Sequence, residues 1–179
     1  PSVTVASVVA ETLVAMYNPQ LANWRTSPAG NEIERYTLGW LAQKFGLPAD
    51  TSATFTSGGS EANLSAVVVA LTHAFPEYGE NGLRHLSSCP AIYLTQGAHH
   101  SFNKIAHMTG LGRRALRPVA TDSFLKLDVE DLKRRVSEDR KNGLAPFMVI
   151  GAAGTTAAGV IDPLPAIGRF CREKALWFH

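Results

Sequence analysis

Three short stretches carry residue types that could do chemistry. Residues 54–74, T-F-T-S-G-G-S-E-A-N-L-S-A-V-V-V-A-L-T-H-A, read as a glycine-rich turn delivering the chain into an apolar helix. Gly58 and Gly59 permit close backbone approach and positive φ, Ser60 offers a hydroxyl, and the helix start presents N–H groups with no intrahelical acceptor. Such a turn suits an anion, and an uncharged one suits a phosphate ester. Ordinary N-capping explains the same residues. A nucleophilic Ser60 does not fit: the second glycine of a G-x-S-x-G elbow is absent and no local partner can be named. The second stretch is the pair His99-His100 just past an apolar run, and the third is Gly154-Thr155-Thr156 past another. A histidine pair in a loop is often structural or solvent-facing, but loop placement favours function. A zinc site would need convergent ligands, and beside His99, His100 and His107 no Asp, Glu or Cys completes a set, so no metal is expected. A strand-end loop of small residues ending in two threonines is either a plain turn capped by hydroxyls or room for a flat ring.

The elements that must hold these residues follow from periodicity. Val5, Val8, Val9, Leu13 and Met16 recur at helical spacing, giving an amphipathic first helix with no basic leader before it. Asn31 with Glu34 reads as a capping box for a second helix whose apolar face carries Ile33, Thr37, Trp40, Leu41, Lys44 and Phe45 and which stops at Gly46-Leu47-Pro48. Trp24 and Trp40 read as packing residues. The helix after the Gly58-Gly59 turn is expected to bury Leu64, Val67, Val68, Leu71 and Phe75, with the three consecutive valines held by tertiary burial rather than propensity. Residues 91–95, 115–119, 147–150 and 176–179 read as strands, separated by helices at 101–108, from Asp128 to about Gly143, and after Asp162 as N-cap with Pro163 at the first helical position. Apolar strands alternating with helices predict an α/β fold: a three-layer, mainly parallel sheet with helices on both faces. Ligands of such sheets sit at the carboxyl ends of strands, which singles out the loops holding His99 and Thr156 together with His179.

Composition narrows the function classes. The 179 residues are 45% hydrophobic and 18% charged, ordinary for one globular core. Seventeen Lys and Arg against fifteen Asp and Glu leave a net charge of +2. The basic residues 133–135 read as a solvated helix face, with no aromatic interleaving of the kind nucleic-acid binding uses. Neither a membrane span nor a secretory signal is expected. Cys89 and Cys171 form no C-x-x-C, which suits a reducing cytoplasm. The chain begins at Pro1 and ends at His179 directly after an apolar run, so both ends are expected to be cuts through a longer protein.

Taken together, the segments 55–64 (F-T-S-G-G-S-E-A-N-L), 97–104 (G-A-H-H-S-F-N-K), 109–112 (T-G-L-G) and 154–163 (G-T-T-A-A-G-V-I-D-P) resemble the group II pyridoxal-phosphate-dependent amino-acid decarboxylases, which include aromatic-amino-acid, glutamate and diaminobutyrate decarboxylases. The terminal W-F-H looks like the strand entering that family's H-V-D-A-A motif, and residues 27–34 (S-P-A-G-N-E-I-E) are similar to its S-P-A-x-x-E-x-E segment.

The resemblance implies a fold-type I large domain and pyridoxal 5'-phosphate as cofactor. It divides the chain into an N-terminal helical segment, residues 1–50, on the substrate and dimer side, and the first part of the cofactor-binding domain, residues 51–179. Gly59 and Ser60 would hold the cofactor phosphate. His99, in the family's H-x-S pattern with Ser101, would stack on the pyridine ring and act catalytically, positioning the substrate carboxylate or a proton. Thr156 would contact cofactor or substrate, and His179 would lie near the ring. The implied reaction converts an L-amino acid to its amine and CO2, in a homodimer whose active sites lie at the subunit interface. The acid that pairs with the ring nitrogen and the lysine that carries the cofactor, in a His-Lys pair, match no residue here, so the chain alone is expected not to turn over. Related alternatives are a sphingosine-phosphate-lyase-like enzyme, an aminotransferase, or a non-catalytic decarboxylase-like binding protein.

Overall fold

The computed structural model describes residues 2–179, and the chain divides into two compact units, Pro1–Thr56 and Ser57–His179.

The first unit is two helices and their connections. Helix α1 (Val5–Tyr17) is capped by the Thr4 hydroxyl, which accepts the Ser7 N–H, and ends at Asn18 in the left-handed conformation. Helix α2 (Pro28–Lys44) starts earlier than the expected capping box: Ser27 is its N-cap and Pro28 its first residue, where a missing N–H costs nothing. Asn31 instead donates its amide to the Ser27 carbonyl, and Glu34 accepts the Phe55 N–H at 2.9 Å. The apolar faces expected of these helices are present but uncovered. Val5, Leu13, Met16, Ile33, Trp24 and Trp40 are all exposed, and Ser27 is the buried residue of the described part of this unit. Trp24 and Trp40 therefore do not pack into a core here, and Trp40 carries the Lys44 ammonium 5.4 Å above its ring.

The second unit is a four-stranded, wholly parallel sheet in the order β2-β1-β3-β4: β1 (Cys89–Leu94), β2 (Leu116–Pro118), β3 (Leu144–Val149) and β4 (Trp177–Phe178). Helices α3 (Gly59–Ala74) and α5 (Ser101–Met108) cover one face, burying Val67, Ala70, Leu71, Phe102 and Ile105 against Ile92, Leu94 and Met148. Helices α6 (Val129–Lys141) and α7 (Leu164–Lys174) cover the other, with Leu132, Val136, Ile167 and Phe170 against Ala91, Tyr93 and Val149. A short α4 (Tyr78–Asn81) lies in the connection before β1. The expected three-layer α/β architecture is therefore found. Two local expectations are not. Val68 is exposed and Ala70 takes its place in the core, because α3 turns the 67/70/71 stripe to the sheet. Asp162 does not cap α7, whose N-cap is Pro163; its carboxylate serves the loops instead.

The register of β1 on β3 slips between Ala91 and Ile92, where β3 carries Pro146 and Phe147 against a single step of β1. The extra residue lets Phe147 join Met148 in the α3 side of the core. Across the α6 face, the buried Tyr93 hydroxyl donates to Asp139 at 2.8 Å, and Arg117 reaches both Asp139 oxygens at 2.9 and 2.8 Å. Burial, and after it the Asp139 carboxylate, keep the Tyr93 phenol protonated far above its ordinary range.

The strand order also fixes where a ligand can enter. The chain leaves β1 through α5 to β2 on one side, then crosses on the opposite face through α6 to β3 on the other. Connections that leave β1 and β3 in opposite directions splay apart and open a crevice between the carboxyl ends of these two strands.

Candidate cofactor site at the strand carboxyl ends

A cavity of about 160 Å³ occupies that crevice. Its wall takes Gly97, Ala98 and His99 from the loop after β1, residues 150–152 and 154–156 from the loop after β3, His179 from the end of β4, Phe102 from α5 and Asn63 from α3. The three strand ends singled out in the sequence thus converge on one space, comparable to an apolar cavity of ~150 Å³ that admits a benzene ring.

Each wall segment is held by identifiable contacts. Beyond β3 the chain forms a tight hairpin: Ala153 bridges Ile161, Gly154 and Thr155 both donate their N–H to the Val160 carbonyl, and the Thr155 hydroxyl accepts the Val160 N–H at 3.1 Å. Thr155 is thereby used by the turn, while Thr156 is exposed at the cavity. Asp162, 4% exposed, fastens the hairpin base, accepting the N–H groups of Ala152 and Leu127 at 2.8 Å each. Gly151 leaves little room for a side chain: a Cβ there would stand 2.9 Å from Leu164 Cδ2 and 3.0 Å from Phe178 Cε2, so both side chains would have to shift.

His99 accepts the Ser101 N–H on Nδ1 at 3.3 Å, and its ring lies 4.3 Å from that of His100, which is not part of the wall. His179 meets Asn63 Oδ1 through Nε2 at 3.0 Å and packs edge-on against Phe102. Burial lowers the His179 imidazole below its ordinary range, so it is held neutral. Asn63 in turn donates to Ser101 Oγ at 3.0 Å. Sequence reading passed over Asn63; the signal available was its place one turn into the helix that follows the glycine turn, on the side of Val67 and Ala70.

Gly59 and Ser60 do not line the cavity. They stand exposed at the start of α3, ~5 Å along the helix axis from Asn63 at 1.5 Å per residue. Glu61 and Ala62 turn their N–H groups back to the Gly58 carbonyl, whereas those of Gly59 and Ser60 meet no protein acceptor among the described residues. The positive φ anticipated for this turn is not used: Gly58 is extended at φ 165°, and Gly59 begins the helix. A Cβ at either glycine would meet nothing within 4 Å. Nor is the turn uncharged. Glu61 accepts the Ser57 hydroxyl and N–H at 2.5 and 2.7 Å, and these bonds hold its carboxyl below the usual range.

An aromatic-sized crevice walled by two imidazoles, with a free helix start one turn away, fits a cofactor that joins a flat ring to a phosphate. Known proteins point the same way. The description "Pyridoxal-dependent decarboxylase conserved domain" matches residues 2–179, and the chain belongs to that family. Among its relatives, the aromatic-L-amino-acid decarboxylase of Bacillus atrophaeus is 31% identical over 172 residues, covering 96% of this chain and 34% of the relative. The L-2,4-diaminobutyrate decarboxylase of Rhizobium meliloti (strain 1021) is 31% identical over 177 residues, covering 99% of this chain and 34% of the relative. The crystal structure of mouse CSAD superposes with a TM-score of 0.93 at 29% identity, over 99% of this chain and 37% of that one. The chain thus spans about a third of the length of these relatives. The family's cofactor is pyridoxal phosphate.

Proposed function

We propose that residues 1–179 form the cofactor-cradling part of an enzyme that converts an L-amino acid to the corresponding amine and CO2. The observation that carries this reading is the meeting of His99, Thr156 and His179, from three strand ends, around one ring-sized cavity. Bound pyridoxal phosphate supplies the electron sink that takes up the pair left when the carboxylate departs. The chain's own residues do the rest of what is proposed here. The Gly59 and Ser60 N–H groups and the Ser60 hydroxyl hold the phosphate at the positive end of α3, where neither glycine is required by the fold itself. His99 stacks on the ring and orients the substrate carboxylate. Thr156, its hydroxyl not spent on the hairpin, donates to cofactor or substrate, and His179 closes the ring's edge as a neutral imidazole.

The acid and lysine that the family's chemistry requires match no residue of 1–179, so the activity belongs to a protein in which both are present. Residues 1–50 are assigned to the substrate and dimer side and 51–179 to the first part of the cofactor-binding domain. The exposed apolar side chains of α1 support a homodimer. The free thiols of Cys89 and Cys171 support a cytoplasmic setting.

The experiment is an assay of the full-length protein with added pyridoxal phosphate on a panel of aromatic, acidic and basic L-amino acids, measuring CO2 and product amine. Equal yields of CO2 and amine from at least one amino acid are expected. Aldehyde or keto acid in place of the amine would move the reading to a lyase or aminotransferase, and cofactor binding with no product from any amino acid would leave a non-catalytic relative.

A further inference from the structure

Both histidines of the cavity connect to Ser101, His179 by way of the Asn63 amide and His99 by the Ser101 N–H. Asn63 is half-buried, with both ends of its amide engaged. Its Nδ2 donates to Ser101 Oγ, so the group left for His179 is Oδ1, which can only accept. In this orientation of the amide, His179 carries its proton on Nε2. Ser101 is 3% exposed and begins α5, and its N–H donates to His99 Nδ1, which must be bare to accept. His99 then carries its proton on Nε2 as well.

We propose that Asn63, its amide oriented by Ser101, is a positioning residue that holds His179 in one defined neutral tautomer, while the Ser101 N–H separately holds His99 with Nδ1 as acceptor. The consequence is complementary: His179 keeps an acceptor at Nδ1 and His99 a donor at Nε2, one of each kind in the wall of the same cavity. Without the Asn63 carbonyl, His179 would sample both tautomers and present either sign to the cavity. The burial that keeps His179 neutral works in the same direction. The tautomer assignment stands on geometry alone; its value for holding the cofactor rests on the function proposed above.

The two can be tested apart in the full-length protein. Long-range ¹⁵N–¹H spectra of histidine-labelled, cofactor-free protein report which ring nitrogen carries the proton, and a titration with pyridoxal phosphate reports cofactor affinity. In the unaltered protein, His179 and His99 are expected in single Nε2–H patterns. Ser101→Ala keeps the backbone N–H to His99 but removes the acceptor of the Asn63 amide; it is expected to leave His99 unchanged and turn His179 into a mixture, with Ser101→Thr restoring the single pattern. Asn63→Ala is expected to give the same mixture and weaken cofactor binding about tenfold, the scale of one lost hydrogen bond. A bare Nε2 on His179, or a His179 pattern indifferent to both Ser101→Ala and Asn63→Ala, would overturn the proposal. If the tautomers behave as described but no pyridoxal phosphate binds, the positioning stands and the proposed function falls.

Discussion

The two units of this chain spend their apolar residues in opposite ways. In Ser57–His179 the strands offer two faces, each covered by a helix pair, and Val67, Leu71, Ile92, Leu132, Met148 and Ile167 are all within 1% of full burial. Among the described residues of Pro1–Thr56 there is no sheet, and Leu13, Met16, Ile33 and Trp40 remain at least 48% exposed although their spacing is as helical as that of α3. Periodicity tells which residues share a face. Whether the face is covered depends on a partner surface, and only the second unit contains one among its own described elements. The site follows the same division: His99, Thr156, His179 and Asn63 all belong to the unit with a core, where side chains can be fixed to a fraction of an ångström by their neighbours.

The contrast predicts the largest effect for matched leucine truncations in the isolated 179-residue chain. Leu71→Ala should destabilise it by about 2–5 kcal/mol in urea unfolding, whereas Leu13→Ala should stay within about 0.5 kcal/mol. Equal losses would mean that α1 has a hidden core contact and would erase the distinction. Next in size is Asp162→Ala, which strands two N–H groups at the hairpin base and should cost about 2 kcal/mol, with faster amide exchange at Ala152 and Leu127 than elsewhere around the cavity.

A smaller effect separates fold from ligand. Gly59→Asp adds a side chain where a Cβ meets nothing, so stability should change by less than about 0.5 kcal/mol. The added negative charge at the helix start should nevertheless weaken pyridoxal phosphate binding to the full-length protein at least about tenfold. The smallest effect is electrostatic. Burial pushes the Asp131 carboxyl up, but the Ala120 N–H and the Arg135 and Arg134 guanidiniums outweigh it and hold it down, from 3.8 to about 2. Its contribution to stability is therefore present above pH ~4 and lost as pH falls through about 2. Asp131→Asn should flatten that part of the acid unfolding profile.

Much of this was legible in the sequence because it rests on local rules. The 101–108 helix, the four strands and the strand-end placement of His99, Thr156 and His179 follow from apolar runs, breakers and the parallel-sheet rule. What was not legible depends on long-range pairing. Asp162 looks like an N-cap because Asp-Pro precedes a helix, but its carboxylate is drawn to Leu127 and Ala152, two N–H groups whose proximity only the folded sheet creates. The role of Asn63 could not be read from the sequence because its partners lie 38 and 116 positions away. The exposure of Trp24 and Trp40 could not be read from residue type, since a tryptophan's apolar ring says nothing of what is available to cover it.

The most direct test of the account is the affinity of the full-length protein for pyridoxal phosphate, followed by visible circular dichroism of the bound cofactor, in the unaltered protein and in His99→Ala. One cofactor per chain with an induced visible signal, weakened about tenfold or more in His99→Ala while the fold is retained, is the predicted result. A full-length protein that binds no pyridoxal phosphate, or binds it with an affinity and signal that His99→Ala leaves unchanged, would contradict the claim that these strand ends form the cofactor site.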